Sequence, residues 1–175
     1  MRAGGALRDA GPNSALVGVN FTVHTHPLRL KRLLAASVPA AAQDPALPPR
    51  GETLALSAGF QPDPHTVSAP AGGQVDARAA GGPACAGYVA EAASVRLFYA
   101  GGGGLPLVLS ARQGADTLIL VNRPDGRWTC AGAGVGARLR LERPASGQYD
   151  VWLGAREAGE TGRVTLEISE AREPR

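Results

Sequence analysis

The sequence is poor in the residue types that build metal centres and covalent active sites. Aromatic residues make up 5% of the chain, and there are two cysteines, three histidines and one methionine. No apolar run approaches the roughly 18–20 residues that a membrane-spanning helix needs. The sequence therefore predicts neither a membrane span nor a cysteine-rich metal site.

The positive charge of the chain belongs to its N-terminus. The formal net charge is +3, but residues 1–42 contain five of the 18 basic side chains and one of the 15 acidic ones. Residues 43–175 therefore carry a net charge of −1. A nucleic-acid-binding domain normally presents a basic patch, so we expect no nucleic-acid partner.

Residues 1–42 have the features of an export segment behind a misassigned start. Arg29, Lys31 and Arg32 precede an apolar run at 33–42, and three alanines at 40–42 suit signal peptidase cleavage before Gln43. The apolar run is short and broken by a proline, so a disordered cytosolic tail is the alternative. We expect a periplasmic or secreted protein whose mature chain begins with a Pro-rich extended linker at 43–52.

The body of the chain, residues 53–170, is patterned as β-strands. Apolar residues alternate with polar ones, and glycine- and proline-rich turns recur every 10–15 residues, as in all-β folds. Such runs lie at residues 53–57, 95–99, 105–111, 117–122, 137–142, 148–154 and 163–169. The pattern predicts a jelly-roll-type β-sandwich of eight or nine short antiparallel strands, followed by a tail at 171–175.

The two cysteines predict one disulfide. Cys85 and Cys130 both lie in strand-like sequence within the part of the chain that we expect to be exported. Cysteines in an oxidising compartment normally pair. Two buried free thiols are the alternative, and they would suit a cytosolic protein.

No pattern in the sequence predicts an enzyme. His65 is the only histidine after residue 42, and the sequence contains no GxSxG nucleophile motif for it to serve. Gly132, Gly134 and Ala137 match a dinucleotide-binding spacing, but a strand-like segment follows where that motif requires a helix. We therefore predict no catalytic residues and no cofactor.

Scattered acidic and aromatic residues are the remaining candidates for a binding site. Asp116, Asp125 and Asp150 lie near predicted strand ends, where oxygen ligands bind calcium in sandwich domains. They are single acids rather than a cluster, so any calcium site would be weak. Trp128 and Trp152 are candidate ligand surfaces, although tryptophans are more often core anchors.

Two segments relate the chain to a known family. The family's acid-plus-apolar strand and proline–glycine turn correspond to ADTLILVNRPDG at 115–126. Its final alternating strands correspond to SGQYDVWLGAREAGETGRVTLEIS at 146–169. In these respects, residues 59–170 resemble the bacterial pre-peptidase C-terminal domain and its collagen-binding-like relatives. The resemblance implies a jelly-roll sandwich found beside secreted proteases. Related sequences often have acids after the second cysteine, where this chain has AGAGVG.

These observations predict a non-enzymatic exported accessory domain that binds a protein or a polysaccharide at the cell envelope. The alternatives are a peptidase-associated protein, a fragment of a secreted hydrolase, or a purely structural envelope module. The sequence names neither the ligand nor the oligomeric state.

Overall fold

A computed structural model describes residues 42–102, 104–112, 116–134 and 136–170, and these residues form a β-sandwich. Residues 1–41 and 171–175 lie outside the described residues. The export segment and the C-terminal tail therefore stay predictions.

The described residues form eleven strands and one short helix, α1 (Arg78–Gly81). In chain order the strands are β1 (Thr53–Ser57), β2 (His65–Gly72), β3 (Val75–Asp76), β4 (Tyr88–Val89), β5 (Val95–Ala100), β6 (Leu107–Arg112), β7 (Thr117–Asn122), β8 (Trp128–Gly134), β9 (Arg138–Leu141), β10 (Gly147–Gly154) and β11 (Thr161–Ser169).

Two main sheets face each other. Sheet A has the strand order β1-β5-β10-β7-β8, and sheet B has the order β2-β11-β6-β9. Within each of these sheets neighbouring strands are antiparallel, except that β1 pairs with β5 in parallel. The two main sheets contain nine strands, which agrees with the prediction of eight or nine, but the prediction was wrong in the direction of β1. The sequence patterns did not locate β2 and β8, because proline and glycine interrupt their alternation. They also did not locate β3 and β4, because two residues are too few to show a period.

The main core lies between the two sheets, and alternation determines which side chains enter it. Val95, Leu97 and Tyr99 of β5 are buried, as are Leu166 and Ile168 of β11. These assignments were predicted from the period of two in each strand. The buried apolar surface of both sheets thus forms one continuous core.

A second, smaller core covers part of the opposite side of sheet A. Residues 73–94, here called the excursion, leave sheet B after β2 and include β3, α1 and β4. Their side chains Val75 and Val89 pack with Leu118, Leu120 and other residues of sheet A. Strand β7 therefore buries Ile119 and Val121 in the main core and Leu118 and Leu120 in the second one. This double burial explains the nearly continuous apolar run at 117–122.

The excursion begins at a glycine that no other residue could replace without strain. Gly72 has φ of +78°, and a Cβ at this position would lie 1.9 Å from the carbonyl oxygen of Glu160. A side chain would therefore meet both an unfavourable backbone conformation and a backbone clash. The glycine allows the chain to turn away from sheet B here.

The predicted disulfide between Cys85 and Cys130 is confirmed. It joins the excursion to β8, with a Cα–Cα distance of 5.8 Å across 45 residues of sequence. Cys85 is itself part of the second core. The disulfide therefore fastens the excursion to one edge of sheet A.

Within the described part of the chain, no helix has the length and apolar character of a membrane span.

Candidate ligand-binding face

The excursion covers part of the side of sheet A that faces away from the main core, and residues 45–47 lie over Arg96 on the same side. The remaining part of this side, here called the open face, is built by side chains of β5, β10, β7 and β8. The open face consists of Arg96, Phe98, Asn122, Trp128, Gln148 and Asp150. Phe98 is 45% exposed, which makes it one of two large apolar side chains that are exposed among the described residues.

Strand alternation and register place these side chains together. On β5, the buried residues Val95, Leu97 and Tyr99 leave Arg96 and Phe98 on the opposite face. The register then pairs Phe98 with Gln148 and aligns Arg96 with Asp150. Because neighbouring strands share one pleat, the paired residues point to the same side of the sheet.

The same register continues across the other two strands. Asp150 pairs with Asn122 of β7, and Asn122 pairs with Trp128 of β8. Three strand spacings separate Phe98 from Trp128, which corresponds to roughly 14 Å across the sheet. Two aromatic side chains therefore flank a central group of amide and charged side chains.

The Asp150 carboxylate organises the centre of the open face. It is 1% exposed and accepts hydrogen bonds from Arg96 Nε and from Gln148 Nε2, each at 2.7 Å. Arg96 also donates to the carbonyl oxygens of Pro45 and Leu47, at 2.6 and 2.9 Å. A buried carboxylate needs hydrogen-bond donors such as Arg96 and Gln148. The Asp150 carboxylate in turn holds these two side chains in fixed positions.

The two tryptophan candidates have different positions. Their rings pack against each other, with centroids 5.1 Å apart. Trp152 is fully buried, and its Nε1 donates to the carbonyl oxygen of Glu91. It is therefore a core anchor of the second cluster rather than a ligand surface. Trp128 is partly exposed at the border of the open face.

The three candidate calcium ligands are not brought together. Asp116 lies 3.7 Å from Arg156, and Asp125 lies 3.7 Å from Arg123. Asp150 is held by Arg96, as described above. Each carboxylate is thus paired with a separate arginine, and the described residues contain no cluster of three or more acidic, histidine or cysteine side chains that could hold a metal. The segment AGAGVG, treated as a loop in the sequence, mostly belongs to strand β8.

A separate cleft of about 380 Å³ lies at one end of the sandwich. Its lining includes Asp116, Arg156, Glu160 and Arg163. The arginines are already engaged, since Arg156 pairs with Asp116 and Arg163 donates to both polar oxygens of Ser68. Because these arginines already bond to other side chains of the protein, the cleft has fewer polar groups available for a ligand than the open face has.

A buried polar cluster joins the ends of both sheets. The Tyr99 hydroxyl donates to Glu170 Oε1, and Gly59 N–H donates to Glu170 Oε2 at 2.6 Å. Burial, followed by the hydrogen bond to the Glu170 carboxylate and its charge, raises the pKa of Tyr99 well above its ordinary value. The cluster fastens the segment after β1 to the residue after β11. It lies on the core side of β5 and does not reach the open face.

Sequence reasoning missed four members of the open face, which are Arg96, Phe98, Asn122 and Gln148. The alternation of VRLFY separates Arg96 and Phe98 from Val95, Leu97 and Tyr99, but it does not show which face is buried. Gln148 and Asn122 were not distinguishable from ordinary polar strand-end residues, because only the pairing of β10 with β5 and β7 brings them beside Asp150.

No protein-family model matches this chain, and no curated protein has a significantly similar sequence. The resemblance to the pre-peptidase C-terminal domain therefore stays a prediction.

Proposed function

We propose that this chain is an exported, non-catalytic accessory module that binds a polysaccharide of the cell envelope on its open face. A jelly-roll form of the sandwich, and a relationship to the pre-peptidase C-terminal domain, belong to the same proposal.

The observation that carries the proposal is the side-chain composition of the open face. Phe98 and Trp128 present aromatic surface on two strands, and amide side chains lie between them. The amide oxygens of Gln148 and Asn122 have no hydrogen-bond partner among the described residues, while their nitrogens donate to Asp150 and to the Gly126 carbonyl. The face therefore combines apolar area with acceptors for hydroxyl groups.

A polysaccharide matches these groups better than a folded protein partner does. Sugar rings present apolar C–H faces that pack on aromatic rings, and hydroxyl groups that donate to amide oxygens. The face is also extended, because its side chains stand on four adjacent strands of one sheet. An extended chain of sugars can lie across such a surface and contact both aromatics.

Two features support export. The disulfide suits an oxidising compartment rather than the cytosol. In addition, Gln43 is buried on the body of the protein, where its Nε2 donates to the carbonyl oxygen of Asp76. Cleavage immediately before Gln43 would leave this contact and the rest of the 43–51 segment in place. N-terminal sequencing of periplasmic material tests the cleavage, and an intact N-terminus on a cytoplasmic product would contradict it.

Binding is tested by pull-down of the disulfide-bonded protein with insoluble polysaccharides, including purified peptidoglycan. We expect Phe98→Ala to weaken binding about tenfold or more, because burying a phenylalanine side chain contributes about 1.5–3 kcal/mol. The change removes an exposed side chain, so the protein should keep its melting temperature.

Leu105→Ala is the matched control. Leu105 is 37% exposed and does not belong to the open face, so its removal tests whether any loss of exposed apolar surface weakens binding. Equal effects of the two changes would contradict a site on the open face. Binding to a folded envelope protein but to no polysaccharide would overturn the proposed ligand class.

A further inference from the structure

The free edge of β1 differs from the other sheet edges. The four outer strands of the two main sheets are β1, β8, β2 and β9. Strand β9 carries the exposed residues Arg138 and Arg140, β2 contains Pro70, and β8 is fastened by the disulfide. Charge, proline and covering segments are the usual protection against edge-to-edge pairing. Within the described ranges, strand β1, with the sequence TLALS, has none of these.

Hydrogen bonding shows which residues of β1 point to this free edge. Glu52 C=O accepts from Arg96 N–H, and Ala58 N–H donates to Ala100 C=O. The even-numbered residues of this segment therefore bond to β5. Because alternate residues of a strand direct their backbone groups to opposite edges, Thr53, Ala55 and Ser57 direct theirs away from β5. In the described part of the chain, β1 pairs with no other strand.

The main core is also less complete at β1 than elsewhere. Five apolar residues are only partly buried against that core, and four of them lie on β1 or directly after it. These four are Leu54, Leu56, Ala58 and Phe60. An additional strand at this edge would bury more of the two leucines, so the edge offers apolar area as well as hydrogen bonds.

We propose that the free edge of β1 pairs with the same edge of a second copy of this chain, in antiparallel direction, about a twofold axis at Ala55. Strand β1 is complementary to itself in this arrangement. Ala55 faces its copy, Thr53 faces Ser57, and Leu54 faces Leu56. In an antiparallel pair centred on Ala55, the backbone hydrogen bonds between the two copies form at Thr53, Ala55 and Ser57. These are the three residues that direct their backbone groups outward.

The side chains agree with this register. Thr53, Ala55 and Ser57 are small and lie on the outer face, so they meet without a clash. The leucines lie on the core side, where cross-strand apolar pairs stabilise a sheet. An isologous contact of this kind closes after two copies and joins the two A sheets into one sheet of ten strands.

The first experiment measures the mass of the full chain by sedimentation over a range of protein concentrations. We expect wild type to double its mass as concentration rises. Ala55→Lys places like charges at the twofold axis, and Ala55→Pro removes the central donor, so both variants should stay monomeric. Thr66→Lys, on an exposed strand position of sheet B, is the matched control and should dimerise.

A second experiment tests the register with a nearly isosteric change. No cysteine is free in the native protein, so an engineered thiol is unique. In the proposed pair, the two Ala55 Cα atoms lie about 5.5 Å apart, within the range of a disulfide or a short thiol crosslinker. We expect Ala55→Cys to crosslink to itself. Ser57→Cys should not, because its copy lies roughly 14 Å away.

Several outcomes would overturn the inference. Wild type could remain monomeric at its highest soluble concentration. Ala55→Lys could dimerise as wild type does. Ser57→Cys could crosslink as efficiently as Ala55→Cys, which would place the contact in another register. None of these outcomes depends on polysaccharide binding.

Discussion

The Glu170 carboxylate holds together two ends of the sandwich at the scale of single residues. It is 3% exposed and accepts one hydrogen bond from the Tyr99 hydroxyl and one from the Gly59 backbone. Both partners donate to the charged carboxylate, so both hydrogen bonds are charge-assisted. The surface ion pairs differ, since exposed pairs contribute little to stability.

Glu170→Gln is therefore expected to destabilise the protein by about 1–3 kcal/mol, because a neutral amide would replace two charge-assisted hydrogen bonds in a buried site with weaker ones. Urea unfolding monitored by tryptophan fluorescence measures the change. Glu167→Gln is the control, since Glu167 pairs with the exposed side chain of Arg112 at 2.7 Å. A larger loss from the control would show that the buried cluster does not hold the sheet ends together.

The raised pKa of Tyr99 makes stability fall at alkaline pH. The hydroxyl loses its proton near the ordinary pKa of about 10 in the unfolded chain, but at higher pH in the folded protein. Above the unfolded-state pKa of about 10, the folded state binds more protons than the unfolded state, so rising pH favours unfolding. We expect the urea midpoint to decline more steeply above this pH in wild type than in Tyr99→Phe. Parallel curves would contradict the assignment to Tyr99.

At the scale of elements, the excursion is the part of the fold that depends most on the disulfide. Residues 73–94 contribute two strands of two residues and a helix of four, which have little stability of their own. Packing on Leu118, Leu120 and Trp152, together with the link to Cys130, holds them on sheet A. The disulfide therefore stabilises a whole side of the sheet.

Replacing both cysteines by serine should lower the free energy of unfolding by about 4 kcal/mol, the value expected for a closed loop of this length. Hydrogen exchange should increase first in the excursion, before the strands of the main core. Adding a reductant to wild type should reproduce the loss, and adding it to the double variant should change nothing. Unaltered exchange in the excursion would mean that packing alone holds it.

At the scale of the whole molecule, the proposed dimer and the proposed binding face are connected. Phe98 pairs with Ala55 in register, and Ala55 would lie on the twofold axis. The two Phe98 side chains would then be separated by three strand spacings, roughly 14 Å, as Phe98 and Trp128 are within one copy. One long polymer could contact both copies.

Under both proposals, Ala55→Lys should weaken binding to a long polysaccharide by about a hundredfold, through the loss of bivalent contact. Binding to a short oligosaccharide should be unchanged, because each open face remains intact. Isothermal titration with both ligand lengths makes the comparison, with Thr66→Lys as the control. An equal loss for both lengths would indicate that the introduced lysine disturbs the face directly.

The sequence by itself determined the all-β class, the positions of seven of the eleven strands and the disulfide. Alternation at 95–99 and 163–169 specifies which side chains enter a core, because a strand has a period of two wherever it pairs. Only two cysteines were present, so their pairing left no choice of partner. These are local properties, and local pattern is sufficient to specify them.

Only the tertiary structure decided which side chains meet. The order of sheet A brings Asp150 between Arg96 and Asn122, although these residues lie far apart in sequence. The excursion buries Trp152 and leaves Phe98 exposed, although both lie on the same side of sheet A. Strand β1 joins its sheet in parallel and, as far as the described residues go, pairs on one edge only. Strand order, covering segments and free edges arise from long-range pairing, for which a strand's own sequence carries no signal.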